Sequence, residues 1–168
     1  MIREVEGDIL LSKAQVIAHG IAPHDHFDSG LALALRERWP SMVRDYRHAA
    51  HARAPESGSI WPWTGVDEHG GTRCIVNLVT QTMLHSGPNA KPGKATIENV
   101  GHCLRELVKY IHKEKVRSLA LPRLATGVGT LAWSEVKPVL EKHLGGLDIP
   151  VIVYETYHKG VAANEKLD

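Results

Sequence analysis

The sequence predicts an α/β fold in three layers, a mixed, mostly parallel sheet covered by helices on both faces. Two observations predict it. Short runs rich in Val, Ile and aromatic residues, bounded by Gly or Pro, alternate along the chain with longer runs of helical periodicity. Helices of that length joining apolar strands are the usual crossovers of a buried parallel sheet. A third observation makes the sheet mixed: "WTGVDEHGGTR" (63–73) reads as a hairpin turn, so one antiparallel pair is expected within it. At 168 residues the chain fits one domain, 1–168, and buries roughly 70% of its unfolded surface without a disulfide or metal staple.

The elements follow in order. "EGDIL" places Asp8 at the end of an N-terminal strand. "QVIAHG" (15–20), "SIWPW" (59–63), "TRCIVNLV" (72–79), "SLALP" (118–122) and "PVIVY" (150–154) supply the other strands. "GLALALRERWPSMVRDYRHAAHA" is helical and interrupted at Pro40, which removes a backbone donor. "TIENVGHCLRELVKYIHKEK" sets Ile97, Val100, Leu104, Leu107, Val108 and Ile111 on one helical face. A last helix, "WSEVKPVLEKHLGG", is expected to start with Ser134 as its cap and to stop at Gly145. The polar tail, 158–168, is expected to fray.

Composition narrows the function. With 20 basic and 19 acidic residues the net charge is +1, which excludes a protein that grips nucleic acid by electrostatics alone. Cys74 and Cys103 sit in apolar contexts and read as reduced core residues of a cytoplasmic protein. No stretch has membrane-spanning length, so no membrane association is expected.

The stretch "PRLATGVGTLAW" (122–133) carries the first functional signal. It follows a strand, precedes a helix, and offers a ligand mostly backbone. Glycine lets phosphate approach closely, and successive free N–H groups near a helix start form a nest for its oxygens. A turn with no ligand is the plainer reading, since a lone glycine motif is weakly specific. In an open α/β sheet, however, ligands bind beyond the carboxyl ends of the strands, where this stretch is expected to lie. "HFDSGLALAL" sets a second small-residue stretch, Ser29-Gly30, before another helix.

Together "EGDIL", "HFDSGLALAL" and "LALPRLATGVGTLAW", with "KATIENV" before the long helix, resemble the macrodomain family. The similar branch contains the terminal ADP-ribose protein glycohydrolase and the antitoxin macrodomain that strips ADP-ribose from DNA. The resemblance implies a three-layer α/β/α macrodomain that binds ADP-ribose. By it, Asp8 accepts from the adenine amino group, Ile9 packs beside the ring, and Tyr154 flanks it. Ala22, Ser29, Gly30, Leu31 and Pro122 border the diphosphate and distal ribose, and Thr126, Gly127, Val128, Gly129 and Thr130 close over the phosphates. Each has a plainer role as well: Asp8 in a turn, Ser29 at a helix start, Tyr154 in the core.

The family pattern breaks where the branch keeps its catalytic lysine and aspartate. Those places read Gln81, in "LVTQT", and Gly129. Glutamine's amide nitrogen is not basic, so a covalent route through a lysine amine is closed. Three functions remain open: an ADP-ribosyl hydrolase using positioned water, a reader that binds without turnover, and a phosphatase for ADP-ribose 1″-phosphate. The hydrolase is the leading expectation. Asp28 stands where the branch has glycine and is the candidate water-activating base, with Gln81 as an orienting amide and His85 as the alternative base. His24, His26 and Asp28 are zinc-compatible types, but the branch needs no metal and neither metal nor cofactor is expected. "SGPNAKPGK" reads as an inserted flexible loop. Lys91, Lys94, Arg44, Arg47, His48, His51 and Arg53 read as a solvated face that is able to meet a nucleic-acid backbone. The expected partners are ADP-ribose and ADP-ribosylated protein or DNA, and the protein is expected to be a monomer.

Overall fold

The parallel strands all point their carboxyl ends to one edge of a central sheet, and that edge holds the loops singled out above. A computed structural model describes residues 2–66, 70–85 and 87–167. In chain order the elements are β1 (Ile2–Gly7), a short 3-10 turn (Ile9–Leu11), β2 (Val16–Ile21), α1 (Gly30–Arg38), α2 (Pro40–Ala52), β3 (Ile60–Val66) and β4 (Thr72–Val79). There follow β5 (Gln81–Leu84), β6 (Lys91–Ala95), α3 (Ile97–Lys113), β7 (Leu119–Pro122), α4 (Trp133–Leu144) and β8 (Val151–Tyr157).

Six strands form the sheet in the order β1-β8-β7-β2-β4-β3. Every neighbouring pair is parallel except β3 with β4, which run antiparallel from Ile60 opposite Leu78 to Val66 opposite Thr72. The fold is therefore the expected α/β class with a mixed, mostly parallel sheet. Residues 67–69 at the tip of the expected hairpin turn lie outside the described residues.

Alternation along the strands splits the core between the two faces. Val76 and Leu78 of β4, with Val151 and Val153 of β8, pack under α3 and α4 against Leu104, Leu107, Val136 and Leu140. Ile75 and Val79, one residue out of phase, pack under α1 and α2 against Leu35, Met42 and Tyr46. The expected face of α3 is the buried one, and Pro40 begins α2 where a missing N–H costs nothing. Cys103 is fully buried, and burial pushes its thiol up to about 12, so it behaves as a core residue.

The α3 start is fixed by a cap: the Thr96 hydroxyl accepts from Asn99 N–H at 3.0 Å. Removing it by Thr96→Ala is expected to cost about 1 kcal/mol, the usual worth of such a cap, read as a lower urea midpoint at unchanged m-value.

Three expectations differ from the structure. Ser134 does not cap α4, because the N-cap is Ala132, which has no hydroxyl to offer. "SGPNAKPGK" is not a plain loop. Its second half is β6, paired antiparallel with β5, although Ser86 lies outside the described residues. Among its described residues, 158–167, the tail after Tyr157 has neither helix nor strand, yet it folds back on the sheet's edge. Val161 carbonyl accepts from Asp8 N–H at 2.7 Å, and the buried Glu165 carboxylate accepts from Ser12 Oγ at 2.6 Å, Lys13 N at 2.8 Å and Tyr154 OH at 2.8 Å.

Candidate functional site

Two chambers open side by side along the carboxyl edge of the sheet. One, of about 400 Å³, lies between the loop after β2, the start of α1, the β4–β5 junction and the glycine loop after β7. The other, of about 360 Å³, is mostly apolar and is lined by Gly7, Ile9, Ala34, Tyr154 and Tyr157. Gly30, Leu31 and Pro122 line both, so the chambers are continuous. The first compartment is the more polar of the two, and this polar chamber joined to an apolar one suits a ligand with a charged middle and a flat, hydrophobic end.

The glycine loop shapes one wall. Thr130 N–H donates to Gly127 carbonyl at 3.0 Å and Leu131 N–H to Ala125 carbonyl at 2.9 Å, closing a tight turn. Gly127, Val128 and Gly129 line the polar chamber, and no acceptor for their N–H groups is found among the described residues. The first turn of α1, whose N–H groups have no intrahelical partner, lines the same chamber. Two sets of donors without acceptors bordering one chamber favour an anion there. The loop has no room for a larger residue at Gly129: a Cβ there would meet Ala125 carbonyl oxygen at 2.7 Å and Ala95 Cβ at 2.9 Å.

The loop after β2 is held from within. Asp25 uses both carboxylate oxygens on backbone, accepting from Ala22 N–H at 2.8 Å and Phe27 N–H at 2.8 Å. Arg36 and Arg47 both donate to His26 carbonyl at 3.3 Å. Phe27 takes a left-handed φ of 53°, unusual for a bulky residue, with its ring fully buried beside Tyr46. Asp25 is thus a brace, and Asp28 is the carboxylate left exposed at the rim, with no ion pair or hydrogen bond among the described residues.

At the inner end, Gln81 is buried and its side-chain amide donates to Gly93 carbonyl of β6 at 2.9 Å. That bond ties the hairpin to the chamber, where Pro92 forms part of the wall. Arg123, at the start of the glycine loop, pairs with Glu155 at 2.9 Å and lies over the Trp133 ring at 5.2 Å.

Of the residues expected from sequence, Asp28, Gln81, Ser29, Gly30, Leu31, Pro122, Gly127, Val128 and Gly129 line the polar chamber, and Ile9 and Tyr154 line the apolar one. Asp8, Ala22, His85, Thr126 and Thr130 line neither. Asp8 is buried, accepting from Leu10 N–H and Gly160 N–H, both at 2.9 Å. Thr126 turns its hydroxyl to Arg123 carbonyl at 2.8 Å, and His85 is exposed at the hairpin tip with a φ of 65°. His24, His26 and Asp28 are not joined by further ligands: among the described residues no three His, Cys, Asp or Glu side chains are grouped to hold a metal. No described helix is long and apolar enough to cross a membrane.

Sequence reasoning missed His19, Thr80, Pro92 and Tyr157 as lining residues. His19 is hidden within the apolar run "QVIAHG", and no local pattern marks it.

Known proteins share the fold. The Macro domain family model matches residues 25–140. The chain is 27% identical over 164 residues to the DNA ADP-ribosyl transferase-DNA ADP-ribosyl glycohydrolase fusion protein of Thermosipho africanus, covering 94% of this chain and 42% of that one. It is 24% identical over 154 residues to human ADP-ribose glycohydrolase OARD1, covering 91% and 90%. The solved macrodomain of Thermus aquaticus DarG superposes with a TM-score of 0.77 at 28% identity, covering 92% of this chain and 98% of that one. The chain spans about two fifths of the length of the first curated relatives it matches. A family match over residues 25–140, with the mixed sheet and the paired chambers at its carboxyl edge, establishes that the chain belongs to the Macro domain family.

Proposed function

We propose that this chain binds ADP-ribose across the two chambers and hydrolyses its link to a modified macromolecule. One observation carries the reading: Gly127–Gly129, whose N–H groups find no acceptor among the described residues, line the same chamber as the α1 start, beside an apolar chamber lined by Ile9, Leu31 and Tyr154. That spacing suits a diphosphate flanked by a nucleoside. The names of the Thermosipho and human relatives, both ADP-ribosyl or ADP-ribose glycohydrolases, support the same ligand and reaction class.

In the reaction proposed, Asp28 takes a proton from a water as its oxygen attacks the anomeric carbon of the distal ribose. The bond from that carbon to the base or side chain breaks, its electron pair stays with the leaving group, and the proton is passed on to it. The backbone donors hold the diphosphate still, so part of the barrier is met by orientation. No residue need become covalently attached, consistent with glutamine at position 81.

Two features favour a second reading, a reader that binds without turnover. Gln81 is committed to Gly93, and Gly129 leaves no space for the branch's aspartate. The deciding experiment incubates the protein with ADP-ribosylated DNA and ADP-ribosylated protein and measures free ADP-ribose. Release from either supports the hydrolase; none from both, with ADP-ribose still bound, replaces it with the reader.

The role of the glycine loop is tested separately. A Cβ at Gly127 would meet nothing within 4 Å, so Gly127→Val is expected to fold normally. Its branched side chain stands at the chamber wall, and ADP-ribose affinity is expected to fall roughly tenfold, the worth of a hydrogen bond to a charged group. Unchanged affinity in calorimetry would reduce the loop to a turn.

A further inference from the structure

His19 is the one buried ionisable side chain lining the polar chamber, at 2% exposure, and the proposed reaction leaves it unused. Its Nε2 lies 2.6 Å from Asn77 Oδ1. The Asn77 amide nitrogen donates to Trp61 carbonyl at 3.2 Å, with Met42 Sδ at 3.7 Å, which turns the amide oxygen toward the imidazole. Nε2 therefore carries the hydrogen and donates it, and Nδ1 is left as a bare acceptor. Burial holds the ring's pKa below the ordinary histidine value, outweighing Asn77 and the Asp25 charge, so the ring stays neutral. No partner for Nδ1 is found among the described residues. Nδ1 is not one of the fully buried side-chain nitrogens and oxygens that lack a partner, so it reaches the open space of the chamber, where a ligand's donor can meet it.

What donor fits follows from where His19 stands. It lines the polar chamber with Gly20, Thr80 and Gln81, residues that do not line the apolar chamber. A ligand with its flat end in the apolar chamber and its diphosphate on the glycine loop brings its far sugar here. We propose that His19 Nδ1 accepts a hydroxyl hydrogen from that distal ribose, one that the sugar keeps whether it is free or linked at its anomeric carbon. This inference rests on the ADP-ribose reading above and specifies its far end.

The test compares ADP-ribose with ADP, which lacks the distal ribose, in calorimetry on the wild type and on His19→Gln. The glutamine amide nitrogen reaches the place of Nε2 and keeps the bond to Asn77, while nothing replaces the Nδ1 acceptor. The expected result is a roughly five- to tenfold loss for ADP-ribose with ADP unchanged. Equal ADP-ribose affinity in both proteins overturns the proposal, and so does an equal loss for both ligands, which would mark His19 as packing. Should the variant not fold, nitrogen NMR of the wild-type imidazole decides: the Nδ1 resonance moves on adding ADP-ribose and stays on adding ADP. A resonance that ignores ADP-ribose, or answers both ligands alike, overturns the proposal. Wild type that binds neither ligand fails at the earlier step, the ADP-ribose reading itself.

Discussion

Asp28→Ala is expected to slow release of ADP-ribose from modified substrate by roughly 100-fold or more, the usual loss of a general base, while ADP-ribose affinity changes little. The geometry separates the two quantities. Asp28 lines the polar chamber but is exposed and makes no bond that the loop depends on, whereas its neighbour Asp25 closes the turn through Ala22 and Phe27. Removing Asp28 is therefore expected to take away the proposed base and to leave the wall standing. Asp25→Ala, by contrast, is expected to loosen the loop and to lower affinity and rate together. Full turnover in Asp28→Ala would end the role assigned to it.

The second large effect is expected at Gly129. Installing the branch's aspartate by Gly129→Asp is not expected to create activity; it is expected to lower ADP-ribose affinity by about 10- to 100-fold, because one or more charge-assisted donors are lost. The new Cβ would collide with Ala125 carbonyl oxygen and Ala95 Cβ, and backbone cannot step aside as a flexible side chain does. Ala95 N–H also donates to Gly129 carbonyl at 3.0 Å, so the shift would pull on β6. The added carboxylate would then stand beside the diphosphate with like charge. Calorimetry on the variant, with circular dichroism to establish that the sheet is intact, reads this out. Affinity equal to the wild type would mean that the loop's amides are not the anion site.

Several elements were legible because their signals are local. "TRCIVNLV" is β4 to the residue, Pro40 divides α1 from α2 as its ring requires, and the apolar stripe from Ile97 to Ile111 faces the sheet. The β5–β6 hairpin was not legible, since "KPGKA" has Pro, Gly and Lys where strands favour branched and aromatic residues. It is held instead by its own antiparallel pairing, by the Gln81 side chain on Gly93 carbonyl within the hairpin, and by the tertiary bond from Ala95 N–H to Gly129 carbonyl. The tail misled for the same reason: polar composition suggests fraying, but Glu165 finds Ser12 and Tyr154 far away in sequence or on another element. In the site, the glycine loop announced itself by composition. Which of Asp25 and Asp28 is free did not, because both stand in one polar stretch and only the turn geometry distinguishes them. His19 had no sequence signal at all; its meaning comes from Asn77 on the neighbouring strand, which pairs with it across the β2–β4 register.

The central claim is that the two chambers form one site for one molecule. Calorimetric titration with ADP-ribose, AMP and ribose 5-phosphate tests it most directly. ADP-ribose, whose diphosphate would lie on Gly127–Gly129 with its adenosine in the apolar chamber, is predicted to bind more tightly than either fragment. No heat from ADP-ribose at millimolar concentration, or an affinity no greater than that of AMP, would contradict it.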